Sequence, residues 1–133
     1  DDMHINLEAD YAARIVQRLA RSPERLDAQS LSDQTAVSLR FTLKIMRKLV
    51  GAGIVRSYKG SRGGYTLARP AAEITLRQVI EAVEGPYRFS RCLDAEYACT
   101  CSGGEACALQ AAFDEVTRAV TDKLDTVTFD TLI

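Results

Sequence analysis

The four cysteines of the chain all lie within residues 92–107, whose sequence is CLDAEYACTCSGGEAC. Thiolates act as nucleophiles, as redox-active groups and as soft ligands for zinc and iron. The spacing is Cys92-x6-Cys99-x-Cys101-x5-Cys107. Structural zinc sites typically use paired C-x2–4-C clips, which this window lacks, whereas iron–sulfur clusters accept longer spacings. The spacing therefore favours a cluster, and a metal-free thiol–disulfide switch remains open as an alternative.

Catalysis by these thiols has little support in the sequence. The only histidine, His4, lies far from the cysteines along the chain, so a Cys–His nucleophile is not expected. No acid pair and no phosphate-binding loop stands out elsewhere in the sequence. We therefore predict that the chain is not an enzyme.

Length and composition predict one soluble domain. The chain has 133 residues, of which 47% are hydrophobic and 26% charged. No apolar run approaches the roughly 20 residues that a membrane-spanning helix needs, and no signal-peptide pattern follows Met3, where we expect the natural chain to begin. We expect a cytoplasmic protein without a membrane partner, in which reducing conditions disfavour structural disulfides.

The charge distribution is strongly one-sided. No acidic residue occurs between Asp33 and Glu73, although the whole chain carries a net charge of −1. Such a segment indicates an anionic partner, with a merely solvated basic face as the alternative. The segment contains eight cations: Arg40, Lys44, Arg47, Lys48, Arg56, Lys59, Arg62 and Arg69.

The elements around this basic segment predict a mainly α fold of the winged helix-turn-helix class. Helical spacing of apolar residues predicts helices over 7–20, 27–34, 38–51, 74–84 and from 108 onward. Two short strands, Ile54–Tyr58 and Tyr65–Leu67, flank a glycine-rich loop and predict a hairpin. Three helices followed by a basic hairpin are the element order of a winged helix-turn-helix, and the apolar tail 126–133 is expected to dock.

The helix over 38–51 has the pattern of a recognition helix for double-stranded DNA. On a helical wheel its apolar residues, Leu39, Thr42, Leu43, Ile45, Met46, Leu49 and Val50, form one arc that we expect to be buried. At its first turn, Ser38, Arg40 and Phe41 are candidates for contacts with base edges in the major groove. The candidates for phosphate contacts are Lys44, Arg47 and Lys48.

The tip of the predicted hairpin carries Lys59, Ser61 and Arg62 among glycines that permit close backbone approach. A narrow minor groove attracts inserted arginine and lysine side chains, so this tip is the candidate wing contact.

The chain resembles the winged helix-turn-helix family of iron–sulfur and redox-responsive transcriptional regulators that includes IscR, NsrR and CymR. The resemblance runs from Met3 to about Leu132. The segments that carry it are DYAAR at 10–14, SLRFTLKIMRKLVGAGIV at 38–55, GSRGGYTLARP at 60–70, ITLRQVIEAVEG at 74–85, and the cysteines beyond them.

This resemblance implies a homodimer that reads a pseudo-palindromic operator, with a long helix near the C-terminus, about Ala108–Lys123, as the dimerisation helix. It also implies a [2Fe-2S] or [4Fe-4S] cluster held by three cysteines, which match Cys92, Cys101 and Cys107. Eight residues separate Cys92 from Cys101 here, where the family more usually has five. Cys99 is an additional thiol that could replace Cys101 or serve as a fourth ligand.

The fourth ligand departs from one branch of the family. Gln110 stands where the iron–sulfur cluster regulators have a histidine, three residues after the last cysteine. In the nitric-oxide-sensitive branch an aspartate on the first helix of the partner protomer takes this role, and Asp10 matches it. An acidic residue in the first turn of a helix is also favourable without any metal.

The sequence thus predicts a DNA-binding repressor that responds to a cluster or to cysteine redox state. The division expected is a DNA-binding domain over 3–84, a cysteine-rich sensor loop over 85–107, and a dimerisation helix with its tail over 108–133. The alternative is a cluster-free thiol-based regulator or a zinc-bound interaction module of the same fold.

Overall fold

Three helices, an antiparallel hairpin and two further helices follow one another in the computed structural model, which describes residues 5–90, 93 and 107–133. The predicted winged helix-turn-helix class is confirmed. The elements are α1 (Leu7–Arg21), α2 (Ala28–Thr35), α3 (Leu39–Gly51), β1 (Val55–Tyr58), β2 (Gly64–Leu67), α4 (Leu76–Glu84) and α5 (Ala108–Thr126), with 3-10 turns at Ala71–Glu73 and Phe129–Leu132.

Helices α1 to α4 form a unit that we call the head, and polar side chains fix where its helices begin. Asn6 accepts a hydrogen bond from the Ala9 amide at the start of α1, and Ser38 accepts one from the Phe41 amide at the start of α3. These caps satisfy amide groups that a helix cannot pair internally. At α2 the cap is Asp27, and the bond that its carboxylate accepts from the Ser30 amide lowers the pKa of Asp27.

The turn between α2 and α3 is tight because Ala36 adopts a left-handed conformation, with φ 60° and ψ 35°. The Val37 amide donates to the Ser32 carbonyl, and the Ser32 hydroxyl donates back to the Val37 carbonyl. This reciprocal pair of hydrogen bonds sets the angle between α2 and α3, and so orients the predicted recognition helix.

The hydrophobic core lies between α1, α3 and α4 and is closed by residues from the C-terminal tail. Phe129 is fully buried there, and its amide donates to the Ile74 carbonyl at 3.1 Å. The expectation that the tail docks is confirmed. The core residues are Ala9, Ala12, Ile15, Val16, Leu19, Leu31, Ile45, Met46, Leu49, Ile54, Val55, Ile74, Val79, Ile80, Val83 and Phe129.

The C-terminal end of α5 is attached to the start of α4. The Arg77 guanidinium lies 2.8 Å from the Asp125 carboxylate, and this hydrogen bond raises the pKa of Arg77. Just beyond α5, Thr128 forms an isolated β-bridge with Thr75. Because Phe129 follows directly, helix α5 is fixed at this end to the head of the molecule.

The hairpin is extended by a third segment from the connection between α1 and α2. Strand β1 pairs antiparallel with β2, with Tyr58 opposite Gly64. Leu26 and Tyr65 then exchange two backbone hydrogen bonds, of 3.2 and 2.9 Å, on the other side of β2. A two-stranded hairpin alone is marginally stable in water, so this bridge helps to hold the wing against the head.

Replacing Gly64 by alanine is expected to destabilise the protein by about 1–3 kcal/mol. Gly64 has φ +138°, and a Cβ there would stand 3.0 Å from the Leu26 carbonyl oxygen and 3.3 Å from the Asp27 amide nitrogen. Urea unfolding measures the loss. Gly51→Ala is the matched control, because a Cβ at Gly51 meets nothing within 4 Å; equal effects of the two changes would contradict the prediction.

Within the residues described, no helix combines the length and the apolar character needed to cross a membrane.

Candidate nucleic-acid interface and cysteine window

The exposed arc of α3 differs from the one expected. The structure buries Thr42, Ile45, Met46 and Leu49, whereas Leu39, Leu43 and Val50 are 39%, 41% and 37% exposed. The prediction that these three would be buried was wrong, because α3 packs against the other helices of the head through an arc of only about 100°. Leu39, Leu43 and Val50 lie just beyond the edge of that arc.

The exposed face of α3 therefore has an apolar half and a cationic half, side by side. Leu39 and Leu43 belong to the first, and Arg40, Lys44 and Arg47, all exposed, to the second. We call these five residues the α3 front. Ser38, the cap of the helix, is exposed at its N-terminal edge. Cations beside apolar side chains suit a duplex groove, which presents both phosphates and thymine methyl groups.

Phe41, a candidate for contact with bases, turns toward the core instead. Its ring is half-buried and packs edge-to-face on Tyr11 of α1, with 5.3 Å between ring centroids. Lys44 lies above the same ring, at 5.9 Å from its centroid. The aromatic side chain thus fixes α3 to α1, and in the first half of α3 the large apolar side chains that face outward are Leu39 and Leu43.

Lys48, a candidate for phosphate contact, is held between two other helices. Its ammonium lies 2.9 Å from a Glu8 carboxylate oxygen, although the angles are not those of a good hydrogen bond, and it donates to the Val83 carbonyl at 3.1 Å. Lys44 lies 3.9 Å from the same carboxylate, whose side chain is only 13% exposed. A phosphate would have to compete with Glu8 for Lys48, whereas Arg40 and Arg47 have no ion pair within the described chain. Glu8 was not singled out from the sequence.

The wing tip presents Lys59, Ser61 and Arg62 in exposed positions, beyond the paired part of the hairpin. Of the tip glycines, Gly60 has φ +91° and open space around its Cα. Gly64 instead approaches the backbone of Leu26 within the protein, so its role is to close the hairpin on the head.

Arg25 connects the head to the wing and was missed by sequence reasoning. Its guanidinium stacks over the Tyr58 ring, 3.5 Å from the centroid, and donates to the Arg62 carbonyl at 3.0 Å. Hydrogen bonding with Thr66, and to a smaller extent with Arg56, lowers the pKa of Tyr58. No local pattern links Arg25 to the hairpin, since the contact depends on how the chain folds back.

The cysteine window lies largely outside the described residues, which include Cys107 but not Cys92, Cys99 or Cys101. Cys107 is the N-cap residue of α5 and is partly buried. In the described ranges no three His, Cys, Asp or Glu side chains come close enough together to hold a metal ion. The four thiols of the window are nevertheless a donor set whose chemistry fits an iron–sulfur cluster.

Asp10, the candidate fourth ligand, lies on the exposed side of α1. Its side chain is 57% exposed, and its carboxylate lies 4.0 Å from the Arg14 guanidinium. It borders a shallow depression that Gln17, Phe129 and Leu132 also line. Such a carboxylate is accessible from outside the protomer.

Helix α5 carries an apolar stripe that no other described element covers. Leu109 and Val116 are 55% and 39% exposed, and Ala112 and Ala119 are exposed on the same face. A neighbouring face of α5 carries Phe113, which contacts Phe89 with 5.6 Å between ring centroids.

Comparison with known proteins explains this combination of wing, exposed helix and cysteine window. The sequence profile of the Rrf2 family, described as "Iron-dependent Transcriptional regulator", matches residues 5–133. The chain belongs to the Rrf2 family. As a member of it, the protein is a DNA-binding transcriptional regulator, and the prediction that it is not an enzyme is confirmed.

Two curated relatives illustrate the range of similarity. Protein aau3 of Rhizobium meliloti is 31% identical over 132 residues, which cover 98% of this chain and 85% of that protein. The transcriptional regulator IscR of Pectobacterium atrosepticum is 31% identical over 103 residues, or 77% of this chain and 61% of IscR.

Among solved structures, CymR, described as the global cysteine regulator of B. subtilis, superposes with a TM-score of 0.78 at 23% identity. The match covers 98% of this chain and 96% of CymR. At this identity the likeness establishes the Rrf2 fold.

Proposed function

We propose that this Rrf2 protein is a homodimeric repressor whose affinity for a pseudo-palindromic operator depends on an iron–sulfur cluster. The observation that carries the DNA-binding part is the α3 front, which places three exposed cations beside two exposed leucines at the start of a capped helix. The cluster part is supported by the four cysteines of the window and by the family.

In this proposal the α3 front enters the major groove. Arg40, in the first turn, reads guanine, while Lys44 and Arg47 contact phosphates. Leu39 and Leu43 contact thymine methyl groups or sugars. The wing tip, through Arg62, reaches into the adjacent minor groove.

The dimer is proposed to form through the exposed apolar stripe of α5. Leu109, Ala112, Val116 and Ala119 recur at helical spacing, and packing against a second copy would remove them from water. A two-fold arrangement of two heads matches two half-sites one or more helical turns apart.

Cys92, Cys101 and Cys107 are the proposed cluster ligands, with Cys99 or the Asp10 of a second copy as the fourth. A bound cluster supplies sensitivity to oxidants and to nitric oxide. Cys107 begins α5, and the far end of α5 is fixed to α4 through Asp125 and Arg77. A rearrangement in the window would therefore reach the DNA-binding head through a continuous helix.

Arg40→Ala is expected to weaken binding to the operator by about 1–3 kcal/mol, or roughly 5- to 150-fold, while binding to random duplex changes little. An arginine that bonds a guanine edge carries sequence information, whereas phosphate contacts do not. The probe is a duplex selected from a random library by the purified protein, and fluorescence anisotropy measures its affinity.

Arg47→Ala is the matched control on the same face. It should weaken operator and random duplex alike and reduce the salt dependence by about one phosphate contact. Equal losses on both duplexes for Arg40→Ala would refute its base-reading role. The same titration with cluster-loaded and chelator-stripped protein tests the cluster part, since equal affinities of the two forms would contradict it.

A cluster-free thiol regulator is the second candidate. The fold shared with CymR of B. subtilis supports it, because that protein is described as the global cysteine regulator. Iron and sulfide analysis of protein purified without oxygen separates the two.

A further inference from the structure

We infer that Arg25 is a positioning residue for the wing: it holds the hairpin tip at the angle from which Arg62 meets DNA. This inference deepens the wing contact proposed above and rests on it. It explains why a cation stands in the connection between α1 and α2, away from the α3 front.

The first step of the argument is mechanical. The Leu26–Tyr65 bridge attaches β2 to the head through two backbone hydrogen bonds, and β1 is anchored at its first residue, Val55, which is buried in the core. The tip, residues 59–63, lies beyond the paired strands. Neither attachment holds the tip itself, which could therefore pivot about the base of the hairpin.

Arg25 supplies the missing attachment. Its guanidinium lies 3.5 Å from the centroid of the Tyr58 ring, at the end of β1, and donates to the Arg62 carbonyl within the tip, at 3.0 Å. One planar group therefore contacts both the end of β1 and the tip. Since Leu26 follows Arg25 directly, the backbone at Arg25 is held in place by the Leu26–Tyr65 bridge to β2.

The chemistry favours arginine over lysine at this position. A guanidinium stacks on an aromatic face and donates in its own plane at the same time, whereas an ammonium is a compact, strongly hydrated point charge. The Tyr58 ring belongs to the last residue of β1, opposite Gly64, so stacking on it holds the outer end of that strand.

The alternative role for Arg25 is a direct phosphate contact, because the residue is exposed and lies beside the tip. The two roles predict different results. A phosphate ligand acts through its charge and independently of Arg62, whereas a positioning residue acts through the tip and needs the planar group.

The test compares Arg25→Ala, Arg25→Lys, Arg62→Ala and the Arg25→Ala/Arg62→Ala double variant, in the full-length protein, on the selected duplex. We expect Arg25→Ala and Arg25→Lys each to weaken binding about five- to tenfold, as Arg62→Ala does. The double variant should be no weaker than Arg62→Ala alone. Wild-type affinity of Arg25→Lys, or independent losses that multiply in the double variant, would overturn the inference.

A second readout does not depend on DNA. Trypsin cleavage after Lys59, in the tip, should be several-fold faster in Arg25→Ala and Arg25→Lys than in wild type, with mass spectrometry locating the cut and circular dichroism confirming an intact fold. An unchanged cleavage rate would overturn the positioning role. If Arg62→Ala leaves affinity unchanged but Arg25→Ala accelerates cleavage, the proposed wing contact fails and the positioning of the tip stands.

Discussion

Replacing Cys92, Cys101 and Cys107 together by serine is expected to remove all iron and acid-labile sulfide from the protein. Iron–sulfur clusters are held by thiolates, and a serine hydroxyl is a harder and much weaker ligand for iron. The measurement is iron and sulfide analysis with a visible spectrum, after anaerobic purification and reconstitution. Because the α3 front lies elsewhere, the variant should still fold and bind random duplex.

Cys99→Ser alone is the matched control for the triple variant, since it removes one thiol of the same window. It should retain iron and sulfide if Cys92, Cys101 and Cys107 are the three ligands. Complete loss with Cys99→Ser and retention with Cys101→Ser would exchange the roles of these two cysteines. Full iron and sulfide in the triple variant would eliminate the proposed ligand set.

Truncating Phe129 to alanine is expected to lower the free energy of unfolding by about 3–5 kcal/mol. Phe129 is among the largest fully buried side chains, and its loss leaves a cavity where the tail closes the core between α1 and α4. Domains of this size are stable by only about 5–15 kcal/mol, so the loss is severe. Urea denaturation at one fixed protein concentration measures it.

Ile133→Ala, four residues further on, is the control for Phe129→Ala. Its side chain is 63% exposed, and its truncation should change stability by no more than about 0.5 kcal/mol. A loss below about 1 kcal/mol for Phe129→Ala would mean that the tail contributes little to the core.

The fold could be read from the sequence largely because its signals are local. The caps Asp27 and Ser38, the periodicity of α1 and the glycine-rich hairpin each depend on neighbouring residues. The same locality explains why Leu39 and Leu43 were wrongly expected to be buried. A helical wheel gives the apolar arc of α3, but only the packing of α1 and α4 decides how much of that arc is covered.

The candidate site was predictable where charge and composition alone define it. The run without acidic residues indicated the cationic face of α3, whereas the metal or redox site indicated by the clustered cysteines stays a prediction. The pairing of Lys48 with Glu8 and the stacking of Arg25 on Tyr58 join residues far apart in sequence. Such contacts depend on tertiary structure and leave no periodic signal.

Because the chain returns to the head at Phe129, the number of residues in the cysteine window can change at little cost to the fold. Helices α4 and α5 are each held by the head, so the 23 residues between Glu84 and Ala108 form a connection whose two ends are already positioned. Closing such a connection costs entropy that grows only with the logarithm of its length, so three added residues cost about 0.1 kcal/mol. Insertions between thiols are thus nearly neutral for the scaffold, and the spacing of eight residues between Cys92 and Cys101 costs the DNA-binding helices almost no stability.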